Sequence, residues 1–151
     1  MYQNGGAAWN YATKELMYPP SEVIIAGTSL GGAAAVYTAF CQKDATQQPA
    51  ALVLTATFSS MVDVAGSLYP WLPVGALLVD RYPSAERIPE VKCPVVILHG
   101  DKDRLVYPKH GRTLFAAAAA ERHQGKPKRR GFRGGIGQTV LVSVVAKQTQ
   151  K

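Results

Sequence analysis

The sequence runs to 151 residues, 47% apolar and 18% charged, the size and balance of one soluble globular domain. No stretch approaches the roughly 20 apolar residues of a membrane-spanning helix, and the N-terminus carries no signal-peptide pattern, so a cytoplasmic location is the default expectation. The net charge of +7 is local: residues 1–121 hold nine Lys/Arg against ten Asp/Glu, while residues 122–151 hold eight Lys/Arg and no acid. That asymmetry separates a domain, 1–121, from a basic tail, 122–151, expected to be disordered or non-native.

In chain order, residues 7–17 place Ala7, Tyr11, Ala12 and Leu16 at helical spacing, and Pro19-Pro20 ends the segment. Val23–Ala26 is a short unbroken apolar run, expected as a strand buried on both faces of a parallel sheet. A tight turn follows over Gly27–Gly32, then a helix of small and apolar residues from Gly32 to Phe40. Ala51–Thr57 reads as a second buried strand. Residues 58–90, with four prolines and several aromatic residues, read as a loop-and-short-helix excursion over one end of the sheet. Pro94–His99 is a third buried strand stopped by Gly100, and residues 107–121 suggest a helix opened by Pro108.

This alternation is that of an α/β protein with an open, mostly parallel sheet and flanking helices. Functional groups in such sheets gather at the carboxyl ends of strands, here Gly27–Leu30, Phe58-Ser59 and Gly100–Arg104. Cys41 and Cys93 lack metal-ligand spacing and are expected as two reduced, part-buried thiols; no metal or cofactor is implied.

Gly27-Thr28-Ser29-Leu30-Gly31 matches G-x-S-x-G, a weak pattern alone and a strong one between a buried strand and a helix of small residues. The turn must be so sharp that side chains two residues either side of the serine would collide, and glycine fits there. Ser29 is thereby the expected nucleophile, held at the rim of the sheet. The helix N-terminus beneath it, with the free N–H of Leu30, is expected to stabilise a developing oxyanion. The plainer alternative is a glycine-rich turn in which Ser29 caps the helix. An acid loop, His99-Gly100-Asp101-Lys102-Asp103, follows the third strand, and spacing alone does not choose between Asp101 and Asp103 as the group that orients a catalytic histidine.

The segments VIIAGTSLGGAAAVYTA, YPWLP, LLVDRYPS, RIPEVKCPVVILHGDKDRLV and HGRTLF resemble the α/β-hydrolase superfamily. The nearest branch is that of serine-aminopeptidase-like, lysophospholipase-like and palmitoyl-protein-thioesterase-like hydrolases. The resemblance covers roughly residues 7–118 and corresponds to the C-terminal half of the family fold. It carries the acid role to Asp103, the last residue of H-G-x-x-D. It also implies upstream strands, with a second oxyanion donor, before Met1, and a Gly-His loop after the acid where this chain reads RRGFRGGIGQT.

Three histidines are candidates for the base. His99 ends a buried strand and His110 opens the next helix, both positions that suit packing; His123 lies in a charged helix end and is a weak candidate. The tail segment RHQGKPKRRGFRGG suits a phosphate contact, although no nucleic-acid partner is expected, and TVLVSVV at 139–145 can pair as a last strand. Tyr69, Trp71, Leu72 and Leu77 offer either an acyl-binding wall or ordinary packing. The expected function is therefore a serine hydrolase acting on a small-molecule or acylated ester, thioester or amide through an acyl-enzyme at Ser29. Weak or no turnover is expected from these 151 residues alone, and the alternative is a non-catalytic hydrolase-like binding protein.

Overall fold

The computed structural model describes residues 2–120 and, beyond them, the backbone of 132–134 and 138–145. The chain opens with α1 (Tyr2–Asn10), which runs into a single π-helical turn over Tyr11–Glu15. The helix expected over 7–17 therefore starts five residues earlier. Gly5-Gly6 reads locally as a breaker, but a Cβ at Gly5 would collide with the Thr38 side chain. Glycine is what lets this helix lie close against its neighbour.

The sheet follows: β1 (Ile24–Thr28), α2 (Leu30–Cys41), β2 (Ala51–Thr55), then the excursion, with α3 (Met61–Leu68), α4 (Val74–Leu77) and α5 (Ser84–Arg87). It returns through β3 (Val95–Gly100) to α6 (Pro108–Ala120). β1, β2 and β3 pair in parallel, with Ala26 opposite Val53 and Val53 opposite Val96. Two further strands, β4 (Phe132–Gly134) and β5 (Gln138–Val145), extend the sheet antiparallel in the order β1-β2-β3-β5-β4. The fold is thus a mixed α/β sheet whose three parallel strands carry the flanking helices. β5 covers the apolar TVLVSVV run, and the remaining residues of 121–151 lie outside the described residues.

One core holds this together. Leu52 and Leu54 of β2 and Val95 and Ile97 of β3 point to one face, where they meet Val36 and Ala39 of α2, Ile88 after α5, and Leu114 and Ala118 of α6. Leu52 and Leu54 are fully buried, each contributing about 1.5–3 kcal/mol of hydrophobic stabilisation. The opposite face is different. Val53, Val96 and Leu98 are only half-buried, and Ile24 of β1 is 60% exposed. The expectation of strands buried on both faces is corrected here: among the described residues helices pack one face, and β1 is an edge strand with an apolar groove beside it, lined by Trp9, Ile24 and Ala34. An unbroken apolar run shows that both faces tolerate burial, and not that a neighbour is supplied within this stretch of chain.

Local chemistry sets the other elements. The Ser60 hydroxyl caps α3 by accepting the Asp63 N–H at 3.0 Å. At the return of the excursion, Arg87 lies over the rings of Tyr2 and Tyr37, at 4.9 and 4.8 Å, and donates to the Tyr2 hydroxyl. That contact ties α5 to α1 and α2. Cys93 is buried in the core, whereas Cys41 is exposed rather than part-buried, and no disulfide joins them.

Candidate functional site

The passage from β1 to α2 takes one residue. β1 ends at Thr28, α2 begins at Leu30, and Ser29 between them has φ 51° and ψ −121°, a conformation that L-residues rarely adopt. The turn is tighter than the Gly27–Gly32 span that the sequence suggests. Three partners hold Ser29 in place. Its N–H donates to the Thr55 carbonyl at 3.0 Å, while its carbonyl accepts the Thr57 hydroxyl at 2.7 Å and the Gly32 N–H at 3.0 Å. A backbone of this kind costs about 1–3 kcal/mol and persists only where its surroundings over-determine it.

The glycines around the serine divide unevenly. A Cβ at Gly27 would overlap the backbone of Gly31 and Gly32, and one at Gly32 would overlap Thr57. Gly31, the last glycine of the motif, would meet nothing within 4 Å. The expectation that crowding falls at the two motif glycines is corrected: it falls on Gly27 and Gly32. Thr57, which both clamps Ser29 and fills the space over Gly32, is the contributor that motif reading missed. It lies 28 residues downstream in sequence, and no local pattern announces it.

Ser29 is half-buried, and its side chain makes no capping hydrogen bond to α2. The capping alternative therefore fails on geometry. Leu30 supplies the first N–H of α2, one of those a helix leaves without an internal acceptor, at the positive end of the dipole. Its side chain joins a small apolar cluster with Ala33, Phe58, Val64 and Val106. That cluster gathers the carboxyl ends of all three parallel strands and links the Ser29 turn to the acid loop.

In the acid loop, Asp103 is half-buried and Asp101 exposed. One oxygen of Asp103, Oδ1, accepts the backbone N–H groups of Leu105 and Val106, each at 2.9 Å. His99 Nε2 donates to the Val106 carbonyl at 2.7 Å, and with its one proton so used it stands 3.8 Å from Asp103 Oδ2, too far to hydrogen bond. His99 is fully buried against Gly111 of α6, where a Cβ would lie 2.8 Å from its Nδ1. It is a strut of the loop. His110 is equally buried and bonds through Nδ1 to the Ser59 hydroxyl at 2.9 Å. Burial first, and then Lys109, lowers the His110 pKa below the usual imidazole value, with Asp63 opposing. His123 lies outside the described residues.

Tyr69, Trp71, Leu72 and Leu77 are exposed, Trp71 at 77%, so packing is not what they do among the described residues. No three His, Cys, Asp or Glu side chains come together there as a metal site, and no described helix is long and apolar enough to cross a membrane.

A parallel α/β sheet with a strained serine between strand and helix, and an acid loop one strand beyond its neighbour, is the arrangement of a hydrolase fold. The chain belongs to the α/β-hydrolase superfamily. It is similar to the uncharacterised protein Rv2307c of Mycobacterium tuberculosis, 38% identical over 131 residues that make up 87% of this chain and 43% of that protein. It is also similar to the α/β-hydrolase domain-containing protein WAV2 of Arabidopsis thaliana, 32% identical over 117 residues, 69% of this chain and 37% of WAV2. A third relative, the α/β-hydrolase domain-containing protein aho-3 of Caenorhabditis elegans, is 30% identical over 117 residues, 76% of this chain and 32% of aho-3. The chain thus spans less than half the length of these relatives. No family model and no solved structure matches it.

Proposed function

We propose that this chain carries the nucleophile and acid of a serine hydrolase that cleaves an ester, thioester or amide through an acyl-enzyme at Ser29. The observation that carries the reading is the Ser29 backbone, strained and clamped at φ 51°, with a side chain that caps nothing. Strain of this kind is retained where a hydroxyl must project from the sheet rim.

In this reading the Ser29 hydroxyl oxygen attacks the substrate carbonyl carbon as a histidine base takes its proton. The carbonyl oxygen becomes an oxyanion and accepts the Leu30 N–H, and the alcohol, thiol or amine departs with the proton. Water then hydrolyses the acyl-Ser29 ester by the same base. Asp103 orients that base, with Oδ1 held by backbone N–H groups. Neither His99 nor His110 is assigned as the base, because each spends a ring N–H on another partner, Val106 or Ser59, and neither is hydrogen-bonded to Asp103. The base is then His123, outside the described residues, or a histidine in the additional length that the relatives have, and a second oxyanion donor is a role for that additional length. Turnover by these 151 residues alone is accordingly weak or absent. The exposed Tyr69, Trp71, Leu72 and Leu77 suit the acyl part of a substrate.

The commitment of both described histidines also favours a second reading, a hydrolase-like binding protein that keeps the turn as scaffold. A p-nitrophenyl acyl ester separates the two when given to this chain carried within a protein of the relatives' full length. The hydrolase releases a burst of one nitrophenolate per chain and leaves the acyl mass on the peptide containing Ser29. Absence of both supports the scaffold.

A further inference from the structure

Ser29 is not alone in its strain. Ala56, the residue after β2, has φ 45°, a region that favours glycine, and its N–H donates to the Leu98 carbonyl of β3 at 2.8 Å. Strain held in place by neighbours gathers at functional sites, and the chemistry described above gives Ala56 no task. What the bend at Ala56 delivers is Thr57. That residue is 1% exposed and lies over Gly32, so close that a Cβ there would overlap its side chain.

The Thr57 hydroxyl stands 2.7 Å from the Ser29 carbonyl oxygen, and a carbonyl only accepts, so Thr57 is the donor. That carbonyl belongs to the same peptide unit as the Leu30 N–H. The unit is planar and trans, so its C=O and N–H point in opposite directions within one plane, and whatever fixes the one aims the other. The Gly32 N–H donates to the same oxygen at 3.0 Å from within α2, whereas Thr57 donates from outside the helix. Two donors on separate elements hold the plane against rocking. A donor on the carbonyl also draws electron density from the amide nitrogen, which strengthens the N–H as a donor by about 10–30%.

We propose that Thr57 is a positioning residue for the oxyanion: by donating to the Ser29 carbonyl it aims and polarises the Leu30 N–H, and the strained Ala56 serves to place it. The inference rests on the hydrolase reading. Thr57 touches neither substrate nor the reacting hydroxyl, and its proton stays on its own oxygen throughout. Its hydrogen bond is made before substrate arrives, so the Leu30 N–H needs no reorganisation as charge develops. Acylation and deacylation both pass through an oxyanion at Leu30, so the effect falls on kcat whichever step limits. The ground-state carbonyl carries less charge and feels the donor less, which leaves KM nearly untouched.

The test pairs kinetics with a spectroscopic view of the peptide unit. This chain, carried within a protein of the relatives' full length, is given a p-nitrophenyl acyl ester, and rates are expressed per site titrated by the burst, so that unfolded protein does not count. Thr57→Val keeps the shape and removes the donor. Its kcat should fall about tenfold, less than the roughly 100–1,000-fold of a deleted oxyanion donor, with KM within about twofold of the parent. Thr57→Ser should restore most of the rate. In this chain by itself, labelled with nitrogen-15 leucine, the Leu30 amide nitrogen should move upfield in Thr57→Val and return in Thr57→Ser, because the carbonyl bonded to it loses and regains a donor. A Thr57 that only fills space over Gly32 predicts neither change. A parent that gives no burst defeats the hydrolase reading and this proposal together. Where the parent does give one, a Thr57→Val protein that keeps the parent kcat, loses in KM instead, is not rescued by Thr57→Ser, or leaves the Leu30 signal in place overturns the proposal alone.

Discussion

The two glycines that flank Ser29 have opposite roles, and alanine at each gives opposite signs. At Gly27, a methyl group would meet the Gly31 carbonyl and the Gly32 Cα, all backbone, so no rotamer change relieves the overlap. Overpacking of this kind costs about 1–3 kcal/mol, and the upper end applies because the strand and helix must separate. At Gly31 the added Cβ meets nothing within 4 Å, the residue lies in the first turn of α2, and alanine prefers a helix by up to about 1 kcal/mol over glycine. For a chain of this length each kcal/mol moves the melting temperature by about 3 °C. Gly27→Ala should therefore lower Tm by about 9 °C and Gly31→Ala raise it by up to about 3 °C. Thermal melts followed by circular dichroism measure both. A Gly27→Ala protein that melts within a degree or so of the parent, or two variants that fall equally, refutes the argument that backbone contact forces the turn.

Replacing Ser29 by glycine removes a Cβ from a backbone that disfavours one, and should raise stability by about 1 kcal/mol in urea unfolding despite the greater freedom of glycine in the unfolded chain. Thr57→Val deletes the hydroxyl that Ser29's carbonyl accepts, and should cost about 1–2 kcal/mol by the same measurement. Asp103→Asn keeps an oxygen for Leu105 and Val106 and so should leave the melt within about 0.5 kcal/mol of the parent, whereas Asp103→Ala should lose about 1–2 kcal/mol. The depressed His110 pKa gives a pH dependence of definite sign. Below about 6.5 the unfolded imidazole binds a proton that the folded one does not, so stability falls as pH drops from there toward the folded midpoint and is fully present above it. Urea midpoints between pH 5 and 8 should show that fall in the parent and lose part of it in His110→Gln.

Much of this was legible in the sequence because it is local. Val23–Ala26, Ala51–Thr57 and Pro94–His99 announce strands by unbroken apolar runs, and the excursion over 58–90 announces itself by its prolines and irregular period. The turn at Ser29 stands out because a strand and a helix of small residues leave no room for a longer connection. What escaped is long-range. One-sided burial depends on which helices the chain supplies, and Ile24 is apolar whether or not a neighbour covers it. Gly5-Gly6 breaks a helix by propensity and lies inside one because Thr38 needs the space. The Thr57 clamp spans 28 residues and the Ser59–His110 bond spans 51, and neither has a spacing rule. Asp103 was separated from Asp101 by family likeness and not by geometry.

The central claim is that Ser29 is an activated nucleophile, and its most direct test is peptide-mapped labelling by a fluorophosphonate. The chain, carried within a protein of the relatives' full length, should take up one phosphonyl group, on Ser29, with uptake abolished by Ser29→Ala and slowed by Asp103→Asn. Label on Ser59 instead, or a folded protein in which Ser29 stays unmodified, contradicts the account.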